Sequence, residues 1–466
     1  MSMVMMGFII TMLIFVLIGI ASTRASTSKV SDYLVAGRSV SPWVAGLSAV
    51  ASNNSGFMFI GAIGFTYAYG LSAFWLFFAW LFGDYCSWFL VHQRLRARSE
   101  KQKNESVTGF LAHDGESEDR TLQLVLGGLT VFFLTLYAAA QLKSGGKALE
   151  STLEWAPESG IYIGTIMVAI YSFAGGIRAS LWTDVAQSLV MIIAMGALTW
   201  VCHHDVVGLS ELTTRLSAID PQLLTWTPSD ASLGLFPYAL GWFLAGFGGI
   251  GQPHMIVRAM TVESAEGVKL MRRVYFSWYL IFSIFTLLVG LYARVYFHGV
   301  KTQTFDKETA LPLLADAHLA PLWVGLILAA LFAASMSTAD SQVLASSSSL
   351  TQDVAPRYRA NYSASKIATL SVVFLAMIVA LYGPDSVFDL VTLAWGLMMT
   401  CFAPIMIARV RDWEISPLKL LISTSIGLLA MLVWKYGLGL GDAMYEGAFG
   451  FLVSMPMVWV LSIRSK

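Results

Sequence analysis

Apolar runs of about twenty residues recur along the whole of this 466-residue chain, and they constrain its fold more than any other feature. Hydrophobic residues make up 56% of the sequence and charged residues only 12%, whereas soluble domains carry about 25% charged residues. So few charged side chains cannot cover the surface of a soluble protein of this length. The sequence therefore predicts an all-α polytopic membrane protein.

Thirteen candidate transmembrane spans follow from the hydropathy pattern. They lie near residues 4–22, 42–68, 71–92, 121–143, 158–176, 182–202, 231–256, 274–297, 318–350, 366–383, 386–408, 415–435 and 441–462. The first span is long for the core of a signal peptide and has no basic residue before it, so we expect it to be retained. The spans 42–68 and 318–350 are longer than a bilayer requires, which predicts tilt, breaks or protruding ends.

The distribution of basic residues predicts the orientation of these spans. With the N-terminus outside and the C-terminus inside, 22 of the 29 Lys and Arg residues fall on the inner side. This inner set includes Arg258 and ends with Arg464 and Lys466. One span more or fewer would mix the two sets, so the sequence predicts an N-out/C-in, multi-pass membrane protein.

Composition also excludes several kinds of partner. The formal net charge is zero and there is no basic tract, which argues against nucleic-acid binding. Cys86, Cys202 and Cys401 are scattered singly, so neither a disulfide framework nor a zinc site is indicated. We expect no cofactor and no obligate protein partner, and the lipid bilayer as the surrounding medium.

Two of the spans contain segments that disfavour an unbroken helix. "GLSAVASNNSGFMFIGAIG" has the polar cluster 53–56 at membrane depth, and "LGWFLAGFGGIGQPHM" has four glycines and Pro253 within eight residues. Glycine weakens helices and proline lacks a backbone donor, so both segments predict local unwinding. The alternative is that the glycines serve close helix packing. "GFGGIG" also matches a dinucleotide-binding pattern, but no preceding strand supports that interpretation.

The positions of the two interrupted spans indicate a class of protein. Counting from the second span, each is the first member of a set of five. Corresponding breaks in two successive halves are typical of inverted-repeat secondary transporters, in which unwound backbone binds ions and solute. We therefore expect a five-plus-five core with a first repeat at 42–202 and a second at 231–408. The span 4–22 is an extra N-terminal helix, and 415–462 adds two C-terminal helices to one transporter domain, 1–466.

A hydroxyl-rich stretch, "FAASMSTADSQ", interrupts the apolar ninth span. Ala334, Ser337, Thr338 and Ser341 are spaced by three and four residues and so share one helix stripe. Hydroxyl and carbonyl oxygens suit a hard monovalent cation, which makes Na⁺ the predicted ligand. Alternatively, such hydroxyls bond to the preceding helical turn or join helices.

Two carboxylates lie near the predicted breaks. Asp340 belongs to the hydroxyl-rich span, and a carboxylate at bilayer depth normally has a partner or lines water. Asp184, in "ASLWTDVAQS", is the second. Its alternative role is an acid in the first turn of a helix, where it would be a favourable cap.

Several segments resemble the sodium/solute symporter family, most closely its sodium/proline branch. They are "DYLVAGRSVSPWVAGLSAVASNNSG", "FFLTLYAAAQLKSGGKALEST", "SFAGGIRASLWTDVAQS", "GQPHMIVRAM" and "AASMSTADSQVLASSSSLTQD". The similarity runs from the first span to the last, and the motifs are specific when taken together. The resemblance implies a five-plus-five inverted repeat, Na⁺ as the coupling ion, solute uptake and alternating access. It also implies a location in the plasma membrane, with the bacterial inner membrane expected.

The resemblance also assigns site residues by position. The main sodium site is expected to use the backbone oxygens of Ala51, Asn54 and Ala334 with the hydroxyls of Ser337 and Thr338. A possible second sodium or coupling site is expected at Asp184, Asp340 and Ser341. The predicted solute-binding residues are Asn53, Ser55, Gln141, Trp242, Phe247, Gln252 and Pro253. No catalytic residue is predicted.

The sequence departs from the proline branch at two places. Proline symporters carry an aspartate where Asn53 stands and a serine where Asp340 stands, so the carboxylate that assists sodium is expected on a different helix here. Before "GQPH", the closely spaced Trp and Tyr of that branch are replaced by a more distant Trp242 and by Gly248 and Gly249. A pocket of altered shape is the expected consequence.

The expected function is therefore sodium-coupled import of a small organic solute, with proline or a related amino acid first. Other carboxylates, vitamins or sugar-like solutes are alternative substrates, and a passive channel is an alternative mechanism. A membrane enzyme is not expected, because the only histidine pair, His203 and His204, lies in a connector without further ligands.

Overall fold

The computed structural model describes residues 2–22, 24, 27, 29–113, 118–229, 231–299, 305–384 and 386–463, and these residues form helices and no β-strand. The helices are α1 (Met3–Ser22), α2 (Val30–Val35), α3 (Pro42–Asn53), α4 (Ala62–Tyr69), α5 (Phe74–Leu90), α6 (His92–Lys101), α7 (Val107–Ala112), α8 (Arg120–Leu153), α9 (Pro157–Asp205), α10 (Leu209–Ile219), α11 (Leu235–Phe247), α12 (Pro253–Thr261), α13 (Val268–Tyr296), α14 (Ala310–His318), α15 (Pro321–Ser349), α16 (Tyr362–Tyr382), α17 (Val387–Val410), α18 (Pro417–Leu432) and α19 (Glu446–Ile463).

Each of the thirteen predicted spans lies on a helical segment of the structure. Ten helical stretches among the described residues are long and apolar enough to cross a membrane. Two of them, Phe57–Lys101 and Pro157–Asp205, run through more than one predicted span, and the shorter apolar stretch Leu235–Gly251 adds a further segment. Hydropathy therefore located the helices well, because a lipid environment demands long apolar stretches.

The first predicted break is present between α3 and α4. α3 ends at Asn53, and Asn54 leaves helical geometry with φ −85° and ψ 74°. A π-helical turn, Phe57–Gly61, then leads into α4. The chain thus unwinds at the Asn-Asn-Ser-Gly cluster, where the sequence predicted it.

The second predicted break lies between α11 and α12. A 3₁₀ turn, Gly248–Gly251, follows α11, and Gln252 is extended with φ −104° and ψ 94°. Pro253 then opens α12, a position where its missing amide does no harm. Local unwinding and close helix packing, the two roles considered for the glycines, each apply to different residues. Gly248 and Gly249 form the turn, whereas a Cβ on Gly246 would lie 1.8 Å from the Trp80 carbonyl oxygen of α5, so Gly246 serves close packing.

The two sets of helices pack reciprocally. α3 and α4 of the first broken helix contact α13, and α11 of the second broken helix contacts α5. α5 and α13 are the helices that follow the two breaks in their own sets. The later helices of the two sets also pack against one another. In the first set, α8 contacts α15 and α17 of the second set, and α9 contacts α15 and α16. Exchange of partners between the sets is the relationship expected of two structural repeats related by a pseudo-two-fold axis.

α9 carries two predicted spans and bends between them. Gly176 has φ 57° inside this helix, a backbone conformation that glycine adopts without strain. Helical geometry resumes directly afterwards, so Asp184 lies about two turns into the second half of α9 and is fully buried. The interpretation of Asp184 as a first-turn cap was therefore wrong, because the helix begins earlier than the hydropathy indicated.

Loops predicted to lie on the same side of the membrane contact one another. Arg38 donates to the Asn104 carbonyl at 2.6 Å, and Arg98 forms an ion pair of 2.5 Å with Asp412. Arg258, which the count of basic residues treated as a loop residue, is instead completely buried among the helices. Arg464 and Lys466 lie outside the described residues.

Candidate functional site

The first break frees two backbone carbonyl groups. In an unbroken helix the amides of Ser55 and Gly56 would bond to the carbonyls of Ala51 and Ser52. Here the Ser55 amide donates to the Asn53 carbonyl at 3.0 Å, and the Gly56 amide donates to Gln141 Oε1 at 3.1 Å. The end of α3 therefore presents carbonyl oxygens that lack their usual helical donors, at a fully buried position.

α15 places hydroxyl groups opposite these carbonyls. Thr338 Oγ1 donates to the Ser52 carbonyl oxygen at 3.1 Å. One turn along the stripe, Ser341 shares a hydrogen bond of 2.9 Å with Ser52 Oγ. Ala334, Ser337, Thr338 and Ser341 all lie in the buried middle of α15. The spacing predicted a shared stripe, and in the structure that stripe faces the first break.

Ser337 connects the stripe to Asp184. Its hydroxyl donates to Asp184 Oδ1 at 2.5 Å, and Ser48 of α3 donates to Asp184 Oδ2 at 2.5 Å. A hydroxyl that donates its only hydrogen keeps its lone pairs as acceptors. Ser337 and Thr338 therefore both present oxygen lone pairs, which is what a bound cation requires.

Arg258 completes this polar cluster and was not recognised from the sequence as part of a site. Its Nη2 lies 3.4 Å from Asp184 Oδ2, and both side chains are fully buried. Its guanidinium also donates to Ser180 Oγ at 3.1 Å and to Ser48 Oγ at 3.3 Å, and it contacts Ser341 Oγ. The ion pair is thus supported by hydroxyls from three helices, as a buried charge pair needs.

Asp340 lies close to Arg258 and interacts with it electrostatically. Its Oδ1 accepts a hydrogen bond from Ser172, in the first half of α9, and its Oδ2 has no hydrogen-bond partner among the described residues. The structure therefore joins Asp184 and Ser341 through Arg258, and it places Asp340 next to them with a hydrogen bond from Ser172.

A small enclosed cavity lies beside the first break. Its volume is about 10 Å³, which is about the minimum for one water molecule. Its lining residues are Asn53, Phe57, Met58, Leu76, Trp80, Tyr137, Tyr279, Val391 and Trp395. The cavity is therefore too small for an organic solute in this conformation, and its walls are mainly aromatic.

Aromatic rings separate this cavity from a larger chamber of about 330 Å³. Phe57 of the cavity stacks on Phe388 of the chamber at 5.3 Å, and Phe388 stacks on Phe65 at 5.4 Å. Trp80 of the cavity stacks on Trp242 of the chamber at 6.1 Å. These five rings, which we name the aromatic barrier, lie between the two spaces.

The sequence motifs, the breaks and the hydroxyl stripe agree with a comparison to known families. The family model described as "Sodium:solute symporter family" matches residues 33–410. The chain belongs to the sodium:solute symporter family. The match covers both breaks and the hydroxyl-rich helix.

Individual relatives of the symporter extend this comparison. This chain is 30% identical over 454 residues to the high-affinity proline transporter PutP of Bacillus subtilis, and the aligned region covers 94% of each chain. It is also 30% identical to the osmoregulated proline transporter OpuE of the same organism, covering 94% of this chain and 90% of the relative. A substrate-bound, outward-open Na⁺-coupled sialic acid symporter has a TM-score of 0.81 at 19% identity, over 100% of this chain and 98% of that chain. At that identity the structural likeness shows a shared fold.

Membership fixes the general activity of the symporter. It couples solute transport to Na⁺, it is a transporter and not an enzyme, and it is a multi-pass protein of the plasma membrane. Na⁺ is the coupling ion, and a small solute is its second ligand. The fold is the five-plus-five inverted repeat with two broken helices, consistent with the reciprocal packing.

The predicted solute residues of the symporter fall in different places. Asn53 lines the enclosed cavity, and Trp242 lines the larger chamber. Gln252 Nε2 donates to the carbonyl of Trp395, a cavity residue, at 3.1 Å. Phe247 packs against Phe451 of α19, with ring centroids 5.9 Å apart.

The remaining three predicted solute residues of the symporter organise the breaks. Ser55 Oγ accepts from the Phe57 amide at 3.2 Å, and Pro253 is buried at the start of α12. Gln141 lies well inside α8, which continues to Leu153, and not near the end of a span as the hydropathy suggested. Its bond to the Gly56 amide explains its burial.

Asp84, an acid buried beside the second break of the symporter, was not recognised from the sequence. Asp84 of α5 accepts a hydrogen bond of 2.7 Å from Tyr275, and it lies against the second break, 3.3 Å from the position of a Cβ on Gly249. A lone acid inside the apolar run "FWLFFAWLFGDYCSWFL" was the available signal. Its partner is 191 residues away, so the sequence alone could not reveal what it contacts.

Proposed function

We propose that the symporter imports proline or a closely related small amino acid together with Na⁺. The observation that carries this proposal is the arrangement of freed carbonyls at the end of α3 opposite the hydroxyl stripe of α15, directly beside the enclosed cavity. The names of the two Bacillus subtilis relatives support the choice of solute.

In this proposal the sodium ion lies between α3 and α15. The backbone oxygens of Ala51, Asn54 and Ala334 and the hydroxyls of Ser337 and Thr338 bind it. Because both hydroxyl hydrogens are already donated, to Asp184 and to the Ser52 carbonyl, their oxygens are oriented as acceptors. Five neutral oxygens suit a monovalent hard cation better than a divalent one, which usually recruits several carboxylates.

The solute would bind where the enclosed cavity is now contracted. Trp80 and Trp395 provide apolar faces for a small ring, and Asn53 and Gln252 provide polar groups. The solute carboxylate would face the N-terminal end of α12, where the helix dipole favours negative charge. Asn53 in place of an acid makes the cavity less negative than that of the proline branch, so other small carboxylates are the alternative solutes.

Sodium and solute binding would be linked through the broken helices. Sodium neutralises the carbonyls at the end of α3 and so stabilises the unwound segment that also forms the cavity wall. A membrane potential of 100 mV contributes about 2.3 kcal/mol for each charge moved, which supports roughly fifty-fold accumulation with one ion. In this proposal the protein has its N-terminus outside and its C-terminus inside, and it acts in the bilayer without an obligate protein partner.

The domain division is part of the same proposal. The first repeat is 42–202 and the second is 231–408, with the helix at 4–22 before them and the two helices of 415–462 after them. The repeats rearrange against one another to expose the cavity to each side in turn. The residues 334, 337 and 338 belong to the second repeat and 51 and 54 to the first, so sodium would bind at their interface.

Uptake of radiolabelled proline into proteoliposomes tests the proposal. Uptake should require an inward Na⁺ gradient, and an equal K⁺ gradient should not replace it. Competition by a panel of small amino acids and carboxylates would rank the alternatives. Sodium-driven uptake of another solute, with no competition by proline, would contradict the proposed substrate. Equilibration without accumulation would instead indicate a channel.

A further inference from the structure

Arg258 has the contacts that a bound metal ion would have. Its guanidinium is fully buried and is surrounded by the Asp184 carboxylate, the hydroxyls of Ser48, Ser180 and Ser341, and the His254 carbonyl. All of these are hard oxygen ligands, the type that Na⁺ also selects. Arg258 carries the same single charge as Na⁺, and it cannot leave the protein.

The position of this guanidinium coincides with part of the possible second sodium site. The sequence grouped Asp184, Asp340 and Ser341 there, and the structure places Arg258 in contact with Asp184 and Ser341. We propose that Arg258 is a built-in cation that occupies the second cation position, so that the symporter binds and couples one sodium ion. This inference rests on the proposed sodium site at Ser337 and Thr338.

A charge count supports a single ion. Asp184 and Arg258 form an ion pair without net charge, and both side chains are fully buried. A sodium ion added beside the intact pair would therefore leave a net positive charge in a dehydrated interior, which is unfavourable. Removing the guanidinium should therefore create room and charge for a second ion.

Arg258 also links the second broken helix to three other helices. The residue lies on α12, and its contacts reach α3 through Ser48, α9 through Ser180 and Asp184, and α15 through Ser341. It therefore holds the inner segment of the second broken helix against the helices that carry the proposed sodium ligands. An ion that dissociates in every cycle could not provide such a permanent link.

Equilibrium binding of ²²Na⁺ to the purified, full-length symporter tests this inference without any solute. We expect about one Na⁺ per wild-type protein, and about two for Arg258→Ala and for Arg258→Gln, with the Hill coefficient rising from about 1 towards 2. Arg258→Lys, which keeps the charge, should bind about one. Arg258→Ala with Asp184→Asn should also bind about one, because the net charge returns to the wild-type value.

The outcomes separate this inference from the proposed sodium site. Two sodium ions on the wild-type protein would overturn it, whether or not the variants fold. One ion on Arg258→Ala or Arg258→Gln, in a protein that elutes as a single species, would also overturn it. No sodium binding by the wild-type protein, or one ion whose affinity does not change in Ser337→Ala with Thr338→Ala, would instead contradict the proposed sodium site.

Discussion

Thr338 Oγ1 donates a hydrogen bond of 3.1 Å to the carbonyl oxygen of Ser52, although the two residues are 286 positions apart in the chain. This contact joins the unwound end of α3 to the hydroxyl stripe of α15, and therefore joins the two repeats. Because the broken helix has no intrahelical donor for that carbonyl, the hydroxyl of the other repeat supplies one. The proposed sodium site lies at this junction.

Thr338→Ala should weaken sodium binding and leave the fold intact. The change removes one proposed ligand and the donor to the Ser52 carbonyl, and a hydrogen bond to a charged group is worth about 1.5–3 kcal/mol. The sodium concentration for half-maximal uptake should rise about 10- to 100-fold. Ser347→Ala is the matched control, because Ser347 lies on the same helix but bonds to the Leu344 carbonyl and to Thr369 of α16. Equal effects of the two substitutions would contradict the assignment.

Asp340→Asn should lower sodium affinity about tenfold in the same assay, through the loss of one buried negative charge near the site. The contact with Ser172 would survive, because an amide oxygen still accepts a hydrogen bond. Asp389→Asn serves as the control, since Asp389 lines the larger chamber at the start of α17, on the far side of the aromatic barrier. An unchanged sodium dependence in Asp340→Asn would remove Asp340 from the coupling mechanism.

Gly246→Ala should destabilise the protein severely. Its new methyl group would lie 1.8 Å from the Trp80 carbonyl oxygen, so the backbones of α5 and α11 would have to separate. Overpacking of this kind costs about 1–3 kcal/mol or more, and thermal unfolding in detergent should shift downward by several degrees. Gly128→Ala is the control, because no atom lies within 4 Å of its added methyl group. A melting temperature for Gly246→Ala equal to that of the control would show that the two helices are not packed as described.

Phe388→Ala should open the aromatic barrier. The ring stacks on both Phe57 and Phe65, so its removal leaves a gap between the enclosed cavity and the larger chamber. We expect a raised solute efflux that no longer depends on sodium, measured from preloaded proteoliposomes. Phe374→Ala, a change at a 55% exposed position on α16, should leave efflux unchanged. Tight coupling in Phe388→Ala would show that the barrier does not restrict the solute.

The elements that the sequence predicted well are those whose cause is local. Long apolar runs located the helices, and the clusters around Asn54 and Gly248 located both breaks, because backbone geometry responds to nearby residues. The spacing of Ser337, Thr338 and Ser341 placed them on one stripe for the same reason.

The features that were missed depend on distant partners. Arg258 was assigned to a loop because nothing near it in the sequence shows that Asp184, 74 residues earlier, lies beside it in the fold. Asp84 was overlooked although it contacts Tyr275 across the bundle. The start of the second half of α9 was placed too late, because the bend at Gly176 depends on a φ of 57° at one residue and does not interrupt the apolar pattern.

Binding of ²²Na⁺ to the purified protein carrying both Ser337→Ala and Thr338→Ala tests the central claim most directly. If sodium lies between the broken first helix and the hydroxyl stripe, the double variant should lose saturable binding, while Ser347→Ala should bind like the wild type. Sodium binding of wild-type affinity in the folded double variant would contradict the account.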